Sequence, residues 1–219
     1  LTPGHSIDIQ CADEDGTPWD LSKSIKRNRL IQLVVETKPA IVVGSPMCTM
    51  FSVLQNLNKN KDPAEYKQNL NEAIGHIEFC IALFTIQIKN NMYFLHEHPR
   101  NVTSWKLPAM VRFINKYKPQ LMNANMYAFG MSASDQDGTA PVYKPTTFMT
   151  NLSHVARHIS KQCNGGHRHV HLVNGRAKSA AIYPDRLCDL ICKGIRAQLD
   201  SDELIARMPR KLIASISLA

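Results

Sequence analysis

Two short stretches put reactive side chains at the ends of apolar runs. In "AIVVGSPMCTMFSVLQ", residues 40–55, the run ends in Gly-Ser-Pro and delivers Cys48 into a hydroxyl-rich turn. In "MYFLHEHP" a second run ends with Glu97 between His96 and His98. Alone, Cys48 reads first as a small packing residue, with a metal ligand and a nucleophile as the alternatives. A carboxylate is a poor activator of a neighbouring thiol, because its negative charge raises the thiol pKa. The pair makes chemical sense when both groups act on one substrate. A thiolate adds to an electron-poor ring, and an acid protonates or hydrogen-bonds the ring nitrogen that gathers the displaced electrons. Pyrimidine chemistry has that requirement.

The surrounding pattern supplies elements to position these groups. "SIDIQ", residues 6–10, reads as a short strand with Asp8 near its end, followed by turn-rich "CADEDGTP" and then "WDLS". Ser22 or Ser24 can cap a helix to about residue 38, where Lys-Pro stops it. "AIVVG" reads as a strand covered on both faces, as in parallel sheets. Asp62-Pro63 is a strong helix start, and Leu70, Ala73, Ile74, Ile77, Ile81, Phe84 and Ile88 form its apolar stripe. "NN" ends that helix and "MYFLHEHP" is the next strand. A helix over 107–117 and a strand over 121–129 continue the alternation, which predicts an α/β, doubly wound, mostly parallel sheet. Ligands of such sheets lie beyond the carboxyl ends of the strands, so Asp8, Cys48, Glu97 and the region after Phe129 are expected on one rim. Trp19, Trp105 and the long-helix stripe are expected in the core. From Gly130 a polar stretch reads as a loop and hairpin covering that rim, and the chain closes with a helix over 185–199 and a weakly determined tail.

At this point the motifs resemble a family. "GSPMCTMFS" is similar to the Pro-Cys motif of DNA cytosine-5 methyltransferases, and "YFLHEHP" to their later strand ending in Glu-Asn-Val or Glu-Asn-Pro, with His98 in place of Asn. "WDLS" resembles the acidic motif for the adenine of S-adenosylmethionine, "SIDI" the acidic motif for its ribose, and "YKPTTFMTN" a segment of phage-type members. The methyltransferase-like domains of mobile-element polyproteins look closer still. The resemblance spans most of residues 6–195. It implies a Rossmann-like class I methyltransferase fold that uses S-adenosylmethionine, with Cys48 attacking carbon 6 of a flipped cytosine and Glu97 engaging its ring nitrogen and amino group. It also implies Asp8, Asp20, Ser45 and Pro46 on the cofactor side, and Ser52, Lys144, Thr146, Arg176 and Lys178 on the nucleic-acid side. Asp20 reads equally as a helix-capping residue, and Arg176 and Lys178 equally as a solvated loop. Met47 and Thr49 depart from the family's Pro and Gln, and the family's first strand with its Gly-containing loop is missing. The chain also begins without Met, which reads as an N-terminal truncation. The resulting organisation is a methyltransferase-like core over 1–130, a rim-covering region over 131–183, and a helix and tail over 184–219 packing on the core. The alternative reading is a catalytically degenerate domain that only binds nucleic acid.

A second cluster, Cys163, His167, His169 and His171, has C-x3-H-x-H-x-H spacing and offers four zinc ligands. On a regular strand the three histidines share one face, which crowds a coordination shell, so a substrate- or phosphate-facing strand is the preferred reading and no metal is assigned. The net charge of +8 favours a polyanionic partner, and DNA is the expected one. Basic residues are spread over several segments, as on a folded face. No apolar run approaches the roughly 20 residues of a membrane helix, and no membrane partner is expected. Six cysteines without close pairing argue for a reducing, intracellular compartment, nuclear in a eukaryote.

Overall fold

The computed structural model describes residues 1–52, 55, 62–173, 176, 179–202 and 213–217. The chain is a mixed α/β protein that divides into two compact units, residues 1–119 with 209–219, and residues 120–208. This boundary falls before the one the motifs suggested, and the tail separates from the last helix: the tail strand belongs to the first unit and the helix to the second.

In the first unit, β1 (Pro3–Ile7), α1 (Ser24–Thr37), β2 (Ile41–Ser45), α2 (Pro63–Lys89), β3 (Tyr93–Pro99) and α3 (Pro108–Tyr117) follow the expected alternation. β2 and β3 pair in parallel, with Gly44 opposite His96. A C-terminal strand, whose residues Ile213–Ser217 are numbered β9 in chain order, inserts in parallel between β1 and β2. The tail therefore has a structural place that its composition did not signal.

Asp62 and Pro63 start α2 as expected, and the Asp62 carboxylate accepts from the Ala64 amide at 2.8 Å. Its buried face runs through Ala73, Ile77, Cys80, Phe84 and Gln87, so the stripe lies rotated from the one expected: Leu70, Ile74, Ile81 and Ile88 sit at its margins. Gln87 is buried because its amide donates to the carbonyls of Pro39 and Tyr93, tying α2 to the starts of β2 and β3. α1 starts without the expected serine cap: Lys23 holds the capping position and no side chain bonds the first turn.

In the second unit, β4 (Gln120–Asn125) pairs antiparallel with β7 (Pro145–Thr150), and β5 (Ser132–Asp135) with β6 (Gly138–Tyr143) makes the expected hairpin. β8 (Val170–His171) adds in parallel to β6. The expected strand over 121–129 is therefore shorter, giving way to a 3-10 turn at Met126–Phe129. It is not parallel, because a hairpin joins β4 to β7 where a parallel pair needs a helical crossover. α4 (Ser153–Ile159) packs on α5 (Asp185–Ser201). Among the described residues no helix is long and apolar enough to cross a membrane.

Two glycines set helix distances. A Cβ on Gly44 of β2 would lie 2.7 Å from the buried Phe84 ring of α2, and one on Gly194 of α5 would lie 2.6 Å from the Val155 Cα of α4. Phe84 cannot swing aside, being stacked on Phe94 with ring centroids 4.7 Å apart. Gly44→Ala and Gly194→Ala should each destabilise the protein by about 1–3 kcal/mol, the usual range for overpacking, and urea titration measures both. At Gly194 the clash is with backbone, so it should outweigh alanine's gain in helix propensity of about 1 kcal/mol.

Candidate active site at the ends of β2 and β3

Adjacent parallel strands bring Ser45, the last residue of β2, beside Glu97 of β3. The Ser45 hydroxyl donates to Glu97 Oε2 at 2.6 Å. Glu97 is only 7% exposed, and a buried carboxyl group needs a hydrogen-bond partner, which the Ser45 hydroxyl supplies. Three residues beyond Ser45, half-buried Cys48 opens a 3-10 turn at Thr49–Phe51, where its carbonyl accepts from the Phe51 amide at 3.0 Å.

His98 fixes this turn to β3. Its Nε2 lies 3.2 Å from the Pro46 carbonyl and its Nδ1 lies 2.6 Å from Ser104 Oγ. The carbonyl can only accept, so Nε2 carries the proton and Nδ1 accepts from the Ser104 hydroxyl. The ring is thus neutral in its resting arrangement. Burial pushes its pKa down to about 4, against the opposing effect of the backbone carbonyl. Thr103 adds a second tie by donating to the Phe51 carbonyl at 3.3 Å. β3 and the segment after it thereby grip the Cys48 turn from both ends. His96 and His98 point away from Glu97, as strand alternation requires, and with Phe84 and half-buried Trp105 they form an aromatic cluster. Burial holds His96 neutral, well below the ordinary histidine range, and the nearby His98 acts in the same direction.

The remaining candidates divide between the units. In the first, Ser52 closes the 3-10 turn and is half-buried, while Asp8 lies just past the end of β1 and accepts from the Gln10 amide at 2.8 Å. Asp20 accepts from the amide and hydroxyl of Ser22, at 3.1 and 2.6 Å, and pairs with Lys23. The Ser22 hydroxyl bond, then the Lys23 charge, lowers its pKa. Asp20 thus organises the turn into α1. A cleft of about 670 Å³ runs along β1 and α1, lined among others by His5, Ser6, Asp13, Trp19, Arg29 and Glu36, but not by Asp8, Asp20, Cys48 or Glu97. Asp13, which sequence reading did not single out, gathers Lys26, Arg29 and Thr17 there.

In the second unit, Lys144 donates to the Ala180 carbonyl at 2.8 Å, and its ammonium lies 5.8 Å from the centre of the Tyr183 ring. Thr146 is fully buried, which removes it from the nucleic-acid contacts expected of it. Arg176 donates to the carbonyls of Ser134 and Val173, and Lys178 lies outside the described residues. Cys163, His167 and His169 converge, whereas His171 turns to the Tyr143 ring. No protein-family model matches the chain, and neither the curated proteins nor the solved structures give a match.

His98 and Ser104 were not anticipated as a clamp; the sequence signal was a hydrogen-bonding His in the slot where the resembled family carries Asn. His98→Ala should raise amide hydrogen exchange across residues 47–51 and cost about 1–3 kcal/mol, the penalty for stranding buried partners. The pH dependence follows from the same burial. Unfolded, both histidines titrate near 6.5; folded, His98 binds a proton only near pH 4, and burial holds His96 well below the ordinary histidine range as well. Stability is therefore undiminished above about pH 7 and falls as pH drops from about 6.5 towards 4, because the unfolded chain takes up the protons first. In His98→Asn this slope should be shallower by about one proton, as read from denaturant titrations across that range.

Proposed function

We propose that the chain is a DNA cytosine-5 methyltransferase-like domain of Rossmann-like class I type, related to those of mobile elements, with Cys48 as nucleophile and Glu97 as its partner. The observation that carries this reading is the Ser45–Glu97 hydrogen bond at the carboxyl ends of β2 and β3, beside a Cys48 turn clamped by His98. A nucleophile and an acid presented together on a rigid strand edge are what addition to a pyrimidine needs. The position of β9 supports the fold assignment. With β1 and β2 read as the family's second and fourth strands, β9 lies between them, which is the first strand's place in the doubly wound order.

The chemistry divides among named groups. The Cys48 thiolate forms a bond to carbon 6 of a cytosine turned out of its helix, and the displaced electron pair spreads over carbon 5 and ring nitrogen 3. Glu97, carrying a proton from solvent, hydrogen-bonds that nitrogen and takes up the developing charge. Ser45 holds the carboxyl group in place. S-adenosylmethionine, when bound, supplies a methyl group to carbon 5; loss of the carbon-5 proton to solvent then returns the electron pair that expels Cys48. Asp8, half-exposed at the end of β1, suits a ribose hydroxyl partner, with Ser45 and Pro46 at the end of β2, one strand removed across β9. Asp20, already engaged by Ser22 and Lys23, does not fit an adenine contact in this arrangement. The net charge of +8 suits DNA, with Ser52, Lys144 and Arg176 remaining as candidate contacts.

Incubation with S-adenosylmethionine and DNA containing 5-fluorocytosine tests this reading, because fluorine cannot leave carbon 5 as a proton would and the adduct persists. A covalent complex that disappears in Cys48→Ser, and whose rate of formation falls by about 10²–10⁴ in Glu97→Gln, is expected. Absence of an adduct on every DNA and RNA tried, with cofactor binding intact, would replace this reading with that of a domain that only binds nucleic acid.

A further inference from the structure

We propose that Cys163, His167 and His169 form a zinc site in the second unit, with a fourth position open to solvent. Cys163 Sγ lies 3.4 Å from His169 Nε2 and 3.8 Å from His167 Nε2, and one ligand atom from each of the three residues falls within 4.8 Å of the others. A tetrahedral zinc ion with a sulfur at about 2.3 Å and a nitrogen at about 2.0–2.1 Å requires those two atoms to be about 3.6 Å apart. The two sulfur–nitrogen separations bracket that value.

The backbone removes the crowding that a regular strand would impose. Gly165 and Gly166 both adopt left-handed conformations, with φ of 75° and 79°, so the chain doubles back and returns His167 and His169 to Cys163. The strand proper begins only at Val170. The Gly165 amide donates to Cys163 Sγ at 3.3 Å, which fixes where the sulfur sits in the loop.

The surroundings hold the histidines in this arrangement. Tyr127 meets both imidazoles edge-on, at centroid distances of 4.9 and 5.0 Å. Arg168, which lies between the histidines in sequence, is anchored on the β5–β6 hairpin. Its guanidinium donates to both Asp135 oxygens at 2.8 Å and to the carbonyls of Asp137 and Gly138. Its charge is thereby compensated by Asp135 while its backbone fixes the neighbours on either side. A thiolate with two imidazoles is a borderline-soft donor set that suits zinc over magnesium or calcium. Binding would displace the Cys163 proton to solvent, because the thiolate is the form of cysteine that ligates a metal. Three protein ligands and the exposed side chain of His167 leave a coordination position for water.

The test uses the full 219-residue chain, purified without chelator or metal affinity resin, with zinc measured by mass spectrometry and cobalt(II) titrated into the stripped protein. One zinc per chain is expected, together with tetrahedral cobalt bands and a thiolate-to-cobalt charge-transfer band. Cys163→Ser should abolish the charge-transfer band, and His169→Ala should weaken binding by about a hundredfold or more. His167→Gln, on an exposed side chain, should also weaken it, which keeps the test decisive if Cys163→Ser disturbs the loop. Cys188 and Cys192 are exposed and one turn apart on α5, so a Cys188→Ser/Cys192→Ser variant serves as the control and should bind normally. Loss of binding in that variant, survival of the charge-transfer band in Cys163→Ser, or absence of stoichiometric metal would overturn the assignment.

Discussion

A carboxylate sunk into the end of a sheet is the constraint on which the first unit depends. Glu97 sits on a strand whose neighbours are Phe94, Leu95 and two buried histidines, and in such surroundings a carboxyl group needs a hydrogen-bond partner. Ser45 is that partner, and it can serve only because β2 and β3 run parallel in the register that sets Gly44 beside His96. That register in turn needs α2 close to the sheet, which is why β2 carries Gly44 beneath Phe84. One hydrogen bond therefore links strand pairing and helix packing to the position of Glu97.

The clamp on the other face of β3 uses the same economy. His98 donates to Pro46 and accepts from Ser104, so a neutral imidazole satisfies both partners and burial keeps it neutral. An asparagine in that slot could offer the same pair of functions. Substitution of His for Asn in the resembled motif thus preserves hydrogen-bonding capacity while adding ring area that packs on Phe51 and Trp105.

Much of the first unit was legible because its signals are local. Asp62-Pro63 specifies a helix start through one cap and one fixed φ, and "YFLHEHP" needs no partner to read as a buried strand. What was not legible depends on contacts distant in sequence. Gln87 is buried only because Pro39 and Tyr93 offer it carbonyls, and the α2 stripe shifts toward it. The antiparallel pairing of β4 follows from the hairpin that intervenes before β7. The inner position of β9 joins residues some two hundred apart, which no local pattern encodes. At the candidate site, Cys48 and Glu97 were readable from their places at strand ends. Asp20 was ambiguous because a carboxylate ahead of a helix serves a turn and a ligand equally well, and here it serves the turn. The convergence of Cys163, His167 and His169 was not legible because alternating histidines read as a straight strand, whereas two left-handed glycines fold this segment.

The central claim is that Cys48 and Glu97 act as one site that adds to carbon 6 of cytosine. Addition makes carbon 5 basic before any methyl group arrives, so the most direct measurement is exchange of the carbon-5 hydrogen of cytosine in DNA with solvent, without a methyl donor. The account predicts exchange catalysed by the native chain, lost in Cys48→Ser and strongly slowed in Glu97→Gln. Exchange that persists in Cys48→Ser, or that never rises above the uncatalysed rate while the DNA is demonstrably bound, would contradict it.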